Sequence, residues 1–238
     1  MKMIPVTVLT GFLGSGKTTL LSHLLRHPEM GRTAVIINEF GEMGLDHELV
    51  ETSEEDFVEL TTGCLCCRLR DDLVLTLHDL LARRRREEVT AFNQIVIETT
   101  GLADPAPILQ TLASDVALAE TLKLANVVTT VDALLGLETL TRFSESARQV
   151  AVADKLVLTK TDLVDDDGQR LLSNVRKLNP WAPLHSAVNG RIEPSLLMGS
   201  TQERVDPLRW LGQGVFDGVQ PKSAQQNGND SGPGPHGS

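Results

Sequence analysis

Two runs of residues in this chain could do chemistry. The first is Gly63-Cys64-Leu65-Cys66-Cys67, three thiols in four positions. Thiolates are soft donors that suit Zn²⁺ and Cu⁺ and, less exclusively, Co²⁺ and Ni²⁺. The second, upstream, is Gly11-Phe12-Leu13-Gly14-Ser15-Gly16-Lys17-Thr18, which has the phosphate-loop form GxxxxGK[ST]. A soft-metal site and a triphosphate site on one short chain suggest metal handling controlled by a nucleotide.

The spacing of the thiols limits the metal site. Cys64 and Cys66 can converge in a turn, and Cys67 can join them only if the backbone bends, a freedom Gly63 helps to supply. A structural zinc site usually takes four protein ligands in two separated pairs. Here there are three sulfurs and no second pair. The site is expected to be open, with a water, a nucleotide-dependent ligand or a recipient group completing it, which suits transfer better than scaffolding. The competing readings are buried small hydrophobes, a redox switch and an unselective thiol cluster.

In the phosphate loop, glycines let backbone N–H groups converge on a phosphate while the following helix presents its positive end. Lys17 would bridge the β- and γ-phosphates, Thr18 would ligate Mg²⁺ through its hydroxyl, and Gly11, Gly14, Ser15, Gly16 and Thr19 would complete the cradle. Glu98-Thr99-Thr100-Gly101 has the spacing of an acidic residue and a glycine that meet Mg²⁺ and the γ-phosphate. Glu98 would hold Mg²⁺ through a water or orient the attacking water, and the Gly101 N–H would sense the γ-phosphate. The bland alternative is a helix N-terminus with threonine caps. Thr159-Lys160-Thr161-Asp162 is similar to the guanine motif NKxD, with Thr159 in the asparagine's place. An aspartate there accepts two hydrogen bonds from guanine, a pair adenine does not offer. The Lys160 stem would cover the base, and Ser186-Ala187 would add a backbone contact. Glu39 and Glu42, in the glycine-punctuated stretch Asn38–Gly44, are candidates to touch Mg²⁺ or the transferred metal. The histidines are scattered, and His47 alone is worth testing as a ligand.

The elements that must position these residues alternate between strand and helix. Strands are expected at Ile4–Leu9, Thr33–Asn38, Phe57–Leu60, Gln94–Ile97, Asn126–Val131, Lys155–Leu158 and Pro183–His185. Helices are expected at Thr18–Arg26, ended by Pro28, and at Leu69–Arg86, where Arg83–Arg86 complement the helix dipole. The pattern predicts an α/β fold, a mostly parallel doubly wound sheet of the P-loop NTPase kind. Ligands in such sheets bind at the carboxyl ends of strands. The phosphate loop, Glu98, Asp132 and Lys160 all follow strands and should gather on one edge.

Bulk properties exclude several classes. The 238 residues carry 22 basic and 32 acidic side chains, a net charge of −10, which argues against a broad nucleic-acid footprint. No apolar run is long enough to cross a membrane. The N-terminus enters a strand at once, so a cleavable leader is not expected and the cytoplasm is the expected compartment. All three cysteines lie in one cluster, so no distant pair exists for a structural disulfide. From Asp217 to Ser238 glycine, proline, serine, glutamine and asparagine dominate, and only Val219 and Ala224 are aliphatic. The chain reads as one domain over 1–211 and a flexible tail over 212–238.

Assembled in this order, the segments TVLTGFLGSGKTTL at 7–20, VIINEFGEMGLD at 35–46, GCLCC at 63–67, VIETTGLADPAPI at 96–108, VVTTVDA at 127–133 and VLTKTDL at 157–163 resemble the CobW-type metallochaperone GTPases. The resemblance spans residues 4–200. It implies a SIMIBI-type G domain that binds GTP and Mg²⁺. It also implies a transition metal, Zn²⁺ or Co²⁺, held by Cys64, Cys66 and Cys67 between the switch regions. Hydrolysis would release that metal to a client metalloprotein or a metal-insertion enzyme. The family's C-terminal αβ domain has no counterpart in the tail read here. Two other classes stay open: an ATP-dependent small-molecule kinase with structural cysteines, and a non-catalytic metal store. Guanine preference and turnover separate them.

Overall fold

In β1 (Ile4–Gly11) all residues but one are buried, with no polar alternation. A strand reads this way when helices cover both faces of its sheet. The computed structural model describes residues 3–37, 57–59, 65–68, 73–165 and 169–197, the second and third of these as backbone. The other strands are β2 (Thr33–Ile37), β3 (Phe57–Glu59), β4 (Leu65–Arg68), β5 (Gln94–Glu98), β6 (Leu122–Asp132), β7 (Lys155–Thr159) and β8 (Leu184–Ala187). They form one sheet in the order β3-β4-β2-β5-β1-β6-β7-β8. Every pairing is parallel except β3 with β4.

The helices are α1 (Lys17–Leu25), α2 (Leu73–Arg85), α3 (Ala106–Ser114), α4 (Val116–Thr121), α5 (Gly136–Arg142), α6 (Ser144–Ala151) and α7 (Gln169–Leu178). Side-chain alternation along the strands sends neighbours to opposite layers. In β5, Ile95 and Ile97 pack with Leu77, Leu80 and Leu81 of α2 and Leu109 and Leu112 of α3. Val96, between them, packs with Leu20, Leu21, Leu24 and Leu25 of α1. A third cluster joins Leu156 and Leu158 of β7 to Val150 of α6 and Leu171 and Val175 of α7. Each such fully buried aliphatic side chain contributes roughly 1.5–3 kcal/mol of transfer free energy. The expected doubly wound α/β fold is present. The strand order reverses at β1, which lies between β5 and β6, and that is where such sheets open a ligand crevice.

Most strands run one or two residues further than the sequence predicts: β1 to Gly11, β5 to Glu98, β6 to Asp132, β7 to Thr159 and β8 to Ala187. Hydrogen bonding to a parallel neighbour carries the strand past the last apolar residue. The strand at β8 therefore contains Ser186 and Ala187, which the sequence places beyond it. A larger difference is β4. The cysteine run reads as a metal loop, whereas the backbone of Cys66 and Cys67 is strand, paired with Val35 and Ile36 of β2. Ile37, the next residue, pairs with Arg68 on one side and Glu98 on the other. Cys67 thus lies one residue before the row that holds Glu98, two strands away, about 10 Å across the sheet. Cys64, Glu39, Glu42, His47 and the whole 212–238 tail lie outside the described residues.

Candidate functional site

Gly11 ends β1 with φ of 143°. A Cβ there would lie 2.3 Å from Thr130 Oγ1 and 2.5 Å from the Thr130 carbonyl oxygen, so only glycine lets β1 turn this close to β6. The loop that follows is pinned from below by hydroxyls. Ser15 Oγ and Thr130 Oγ1 are 2.7 Å apart. Thr159 Oγ1 donates to the Ser15 carbonyl at 2.8 Å. Thr99 Oγ1 donates to Thr10 Oγ1 at 2.9 Å. All of these side chains are buried. Burial at low dielectric makes each satisfied hydroxyl a firm constraint, so the ends of β5, β1, β6 and β7 are tied to one another and to the phosphate loop.

Gly14, Ser15 and Gly16 lead into α1, which opens with the two residues the loop exists to present. Lys17 is buried, and its Nζ donates to the carbonyls of Gly11 at 3.0 Å and Phe12 at 3.3 Å. The ammonium therefore lies across the mouth of the loop. Thr18 Oγ1 donates to Glu98 Oε1 at 2.6 Å. Thr19 is exposed in the same first turn, and its carbonyl lies under Gly190, where a Cβ would come within 2.6 Å.

The turn after β5 lies on the phosphate loop. Glu98 is 2% exposed. Gly101 is buried, and a Cβ on it would be 2.6 Å from Leu13 N and 2.7 Å from Leu13 Cα. Glu98 and Gly101 are thus brought to Thr18 and Leu13. A hydroxyl and a carboxylate one hydrogen bond apart are hard oxygen donors, and that donor set fits Mg²⁺.

On the other side of the crevice, Lys160 takes φ of 56° and caps a single 3₁₀ turn, Thr161–Leu163. Its Nζ donates to Asp132 Oδ2 at 2.5 Å. Asp132 Oδ1 accepts from the Leu134 and Leu135 N–H groups, so the carboxylate is fully engaged. This pair fixes the Lys160 stem at the end of β6. Asp162 is exposed on the 3₁₀ turn. Thr159, in the place of the guanine motif's asparagine, spends its hydroxyl on Ser15 and sits 3.4 Å from where a Gly16 Cβ would be.

The sequence did not reveal the roles of four contributors. Thr10 read as the first residue of the loop, and Thr130 as an ordinary strand residue. Asp132 stood out only by its place after a strand, without a partner. Gln149 of α6 reads as a helix residue, yet it reaches the Gly101 turn. The available signal was a set of threonines at the ends of otherwise aliphatic strands. Among the described residues, no group of three or more His, Cys, Asp and Glu side chains could hold a metal ion. No described helix is long and apolar enough to cross a membrane.

Comparison with known proteins gives the family and the fold. The family model of the CobW/HypB/UreG nucleotide-binding domain matches residues 5–186. The chain is 40% identical over 200 residues to the zinc chaperone YjiA of Escherichia coli, covering 84% of this chain and 62% of that protein. It is 35% identical over 199 residues to zinc-regulated GTPase metalloprotein activator 1 of Schizosaccharomyces pombe, covering 80% of this chain and 47% of that protein. The solved Zn(II)-bound YjiA GTPase from E. coli superposes with a TM-score of 0.72 at 36% identity, over 87% of this chain and 68% of that one. The chain thus spans less than two thirds of the length of these two curated relatives.

Proposed function

Because this chain belongs to the CobW/HypB/UreG nucleotide-binding domain family, we propose that it is a GTPase that holds a transition metal, Zn²⁺ before Co²⁺, and releases it under nucleotide control to a client metalloprotein or metal-insertion enzyme. The observation that carries the reading is the position of the cysteine strand. The backbone of Cys66 and Cys67 is paired to β2, and β2 is paired to the strand that ends at Glu98. A change at the γ-phosphate end of β5 has a short, hydrogen-bonded route to the strand that carries Cys66 and Cys67. The zinc named for the relatives from E. coli and S. pombe supports Zn²⁺ as the cargo.

In this reading Lys17 and the loop amides bind the phosphates, and Thr18 and Glu98 would hold Mg²⁺. When bound, Mg²⁺ neutralises charge on the β- and γ-phosphate oxygens. A water attacks the γ-phosphorus, the bond to the GDP oxygen breaks, and GDP, inorganic phosphate and a proton leave. Gly101, seated on Leu13, reports whether the γ-phosphate is present. Asp162 reads the guanine edge, and the Lys160 stem is held against the base by Asp132. Cys64, Cys66 and Cys67 hold the cargo, with Glu39 and Glu42 as candidate oxygen donors beside it.

The test is turnover by the purified chain with Mg²⁺ and either GTP or ATP, followed by phosphate release. Hydrolysis of GTP in clear preference to ATP is expected. Equal use of ATP, or phosphate transfer to an added small molecule, would replace this reading with the kinase one. Intact zinc binding with no turnover would replace it with a metal store.

A further inference from the structure

Helix α6 grips both the phosphate loop and the turn after β5. Its cap residue, Phe143, stacks on Phe12 of the phosphate loop, ring centroids 4.7 Å apart. At its other end Gln149 Nε2 donates to the Gly101 carbonyl at 3.2 Å and the Ala103 carbonyl at 3.0 Å. Beside it, Arg148 pairs with Asp104 at 3.5 Å. Thr129 Oγ1 of β6 donates to the Gln149 carbonyl at 2.8 Å, which fixes the helix at that point. Three residues of the turn, Gly101, Ala103 and Asp104, are thus held by two neighbouring residues of one helix.

The chemistry of Gln149 shows what this arrangement is for. The residue is 1% exposed. Two carbonyls face its amide, so the NH₂ end must point at them, because the oxygen end would repel both. The remaining Oε1 is buried and accepts no hydrogen bond from any described residue. A buried acceptor without a donor costs about 1–3 kcal/mol. An apolar residue of the same length would pack here without that cost, so packing alone does not account for glutamine. The two donated bonds do, since they fix a turn that carries no regular secondary structure.

On the GTPase reading above, we propose that Gln149 is a positioning residue for γ-phosphate recognition. From α6 it holds the Gly101 turn seated on Leu13 before nucleotide arrives. A turn already ordered loses less conformational entropy on binding the γ-phosphate, and this strengthens GTP relative to GDP. GDP, which does not reach the turn, is indifferent to it.

The test measures affinity of the full chain for fluorescent GDP and a fluorescent non-hydrolysable GTP analogue, both with Mg²⁺, alongside melting temperature. Gln149→Met keeps length and volume and removes the donors. Gln149→Glu keeps shape and turns an acceptor toward the two carbonyls. Both are expected to lower the GTP-analogue affinity about tenfold relative to GDP, the scale of two lost amide hydrogen bonds. Arg148→Gln, at a half-exposed site, should lower the same ratio about threefold. It carries the test if the buried variants do not fold. An unchanged ratio in the folded variants overturns the proposal, as does an equal loss for both nucleotides, which is the signature of a purely structural role. A parent protein that binds neither guanine nucleotide overturns the GTPase reading itself, and this inference with it.

Discussion

Thr18 and Glu98 are joined by a 2.6 Å hydrogen bond from the first turn of α1 to the last residue of β5. On the proposed reading, the bond places the carboxylate where Mg²⁺ would be held. Glu98→Gln keeps an acceptor for Thr18 and removes the charge, and Thr18→Ala removes the hydroxyl ligand. A metal acting as Lewis acid supplies several kcal/mol to such a transition state, so each variant is expected to lose about a hundredfold in turnover at saturating Mg²⁺. Nucleotide binding without Mg²⁺ should be little affected. Parent-like phosphate release from either variant would remove the pair from the metal site.

Gly101 packs close against the phosphate loop, with no room for a Cβ. Gly101→Ala would push a methyl to 2.6 Å from Leu13 N, a backbone atom that cannot move aside alone. The turn must lift from the loop. GTP-analogue binding and turnover are expected to fall about tenfold or more while GDP binding holds, since remote misplacement of about 1 Å costs rate heavily. A fall in GDP affinity of the same size would show that the clash deforms the phosphate loop instead.

On the proposed reading, base selection rests on one exposed carboxylate, Asp162. Thr159 has its hydroxyl committed to Ser15 and contributes no free donor to a base. Asp162→Asn replaces one acceptor oxygen with a donor and so opposes guanine N1–H or its amino group. Hydrogen bonds to a charged group contribute about 1.5–3 kcal/mol each, so the GTP-over-ATP ratio should drop at least about tenfold. Thr159→Val should weaken both nucleotides alike, by loosening the phosphate loop. An Asp162→Asn protein that still prefers GTP as strongly as the parent would move base recognition elsewhere.

His185 of β8 gives the domain a pH signature. Partial burial, and then the nearby Lys155 charge, hold its pKa below the usual imidazole value. The folded state therefore favours the neutral ring. The stability this contributes is complete above the ordinary value of about 6.5 and is lost as pH falls through the lower folded value. Melting temperature should drop between pH 7 and pH 5, and His185→Gln should flatten that part of the profile. A steeper fall in the variant would reverse the sign.

The sheet was legible because its strands are short aliphatic runs separated by helical spacing, and the phosphate loop because its residue types are required together. Glu98, Gly101 and Lys160 were legible by their place after strands. What the sequence hid is pairing. Nothing in the string says that Lys160 finds Asp132, that Thr159 finds Ser15, or that Gln149 crosses to Gly101, because these are contacts between strand ends and helices far apart in the chain. The β4 strand was hidden for another reason. Gly63 and the cysteines read as a metal turn, and only β2 and β3 as neighbours turn Leu65–Arg68 into a paired strand.

The central claim is that nucleotide state sets metal affinity through the β5-β2-β4 row. It is tested most directly by titrating Co²⁺ into the metal-free chain with Mg²⁺ and either GDP or a non-hydrolysable GTP analogue, and following the thiolate charge-transfer bands. A stoichiometric complex at least about tenfold tighter with the GTP analogue is predicted, equivalent to about 1.4 kcal/mol. By reciprocity the metal should tighten the analogue by the same factor. Cys66→Ser or Cys67→Ser should abolish the bands. Equal Co²⁺ affinity in the two nucleotide states, with both ligands bound, would contradict the account.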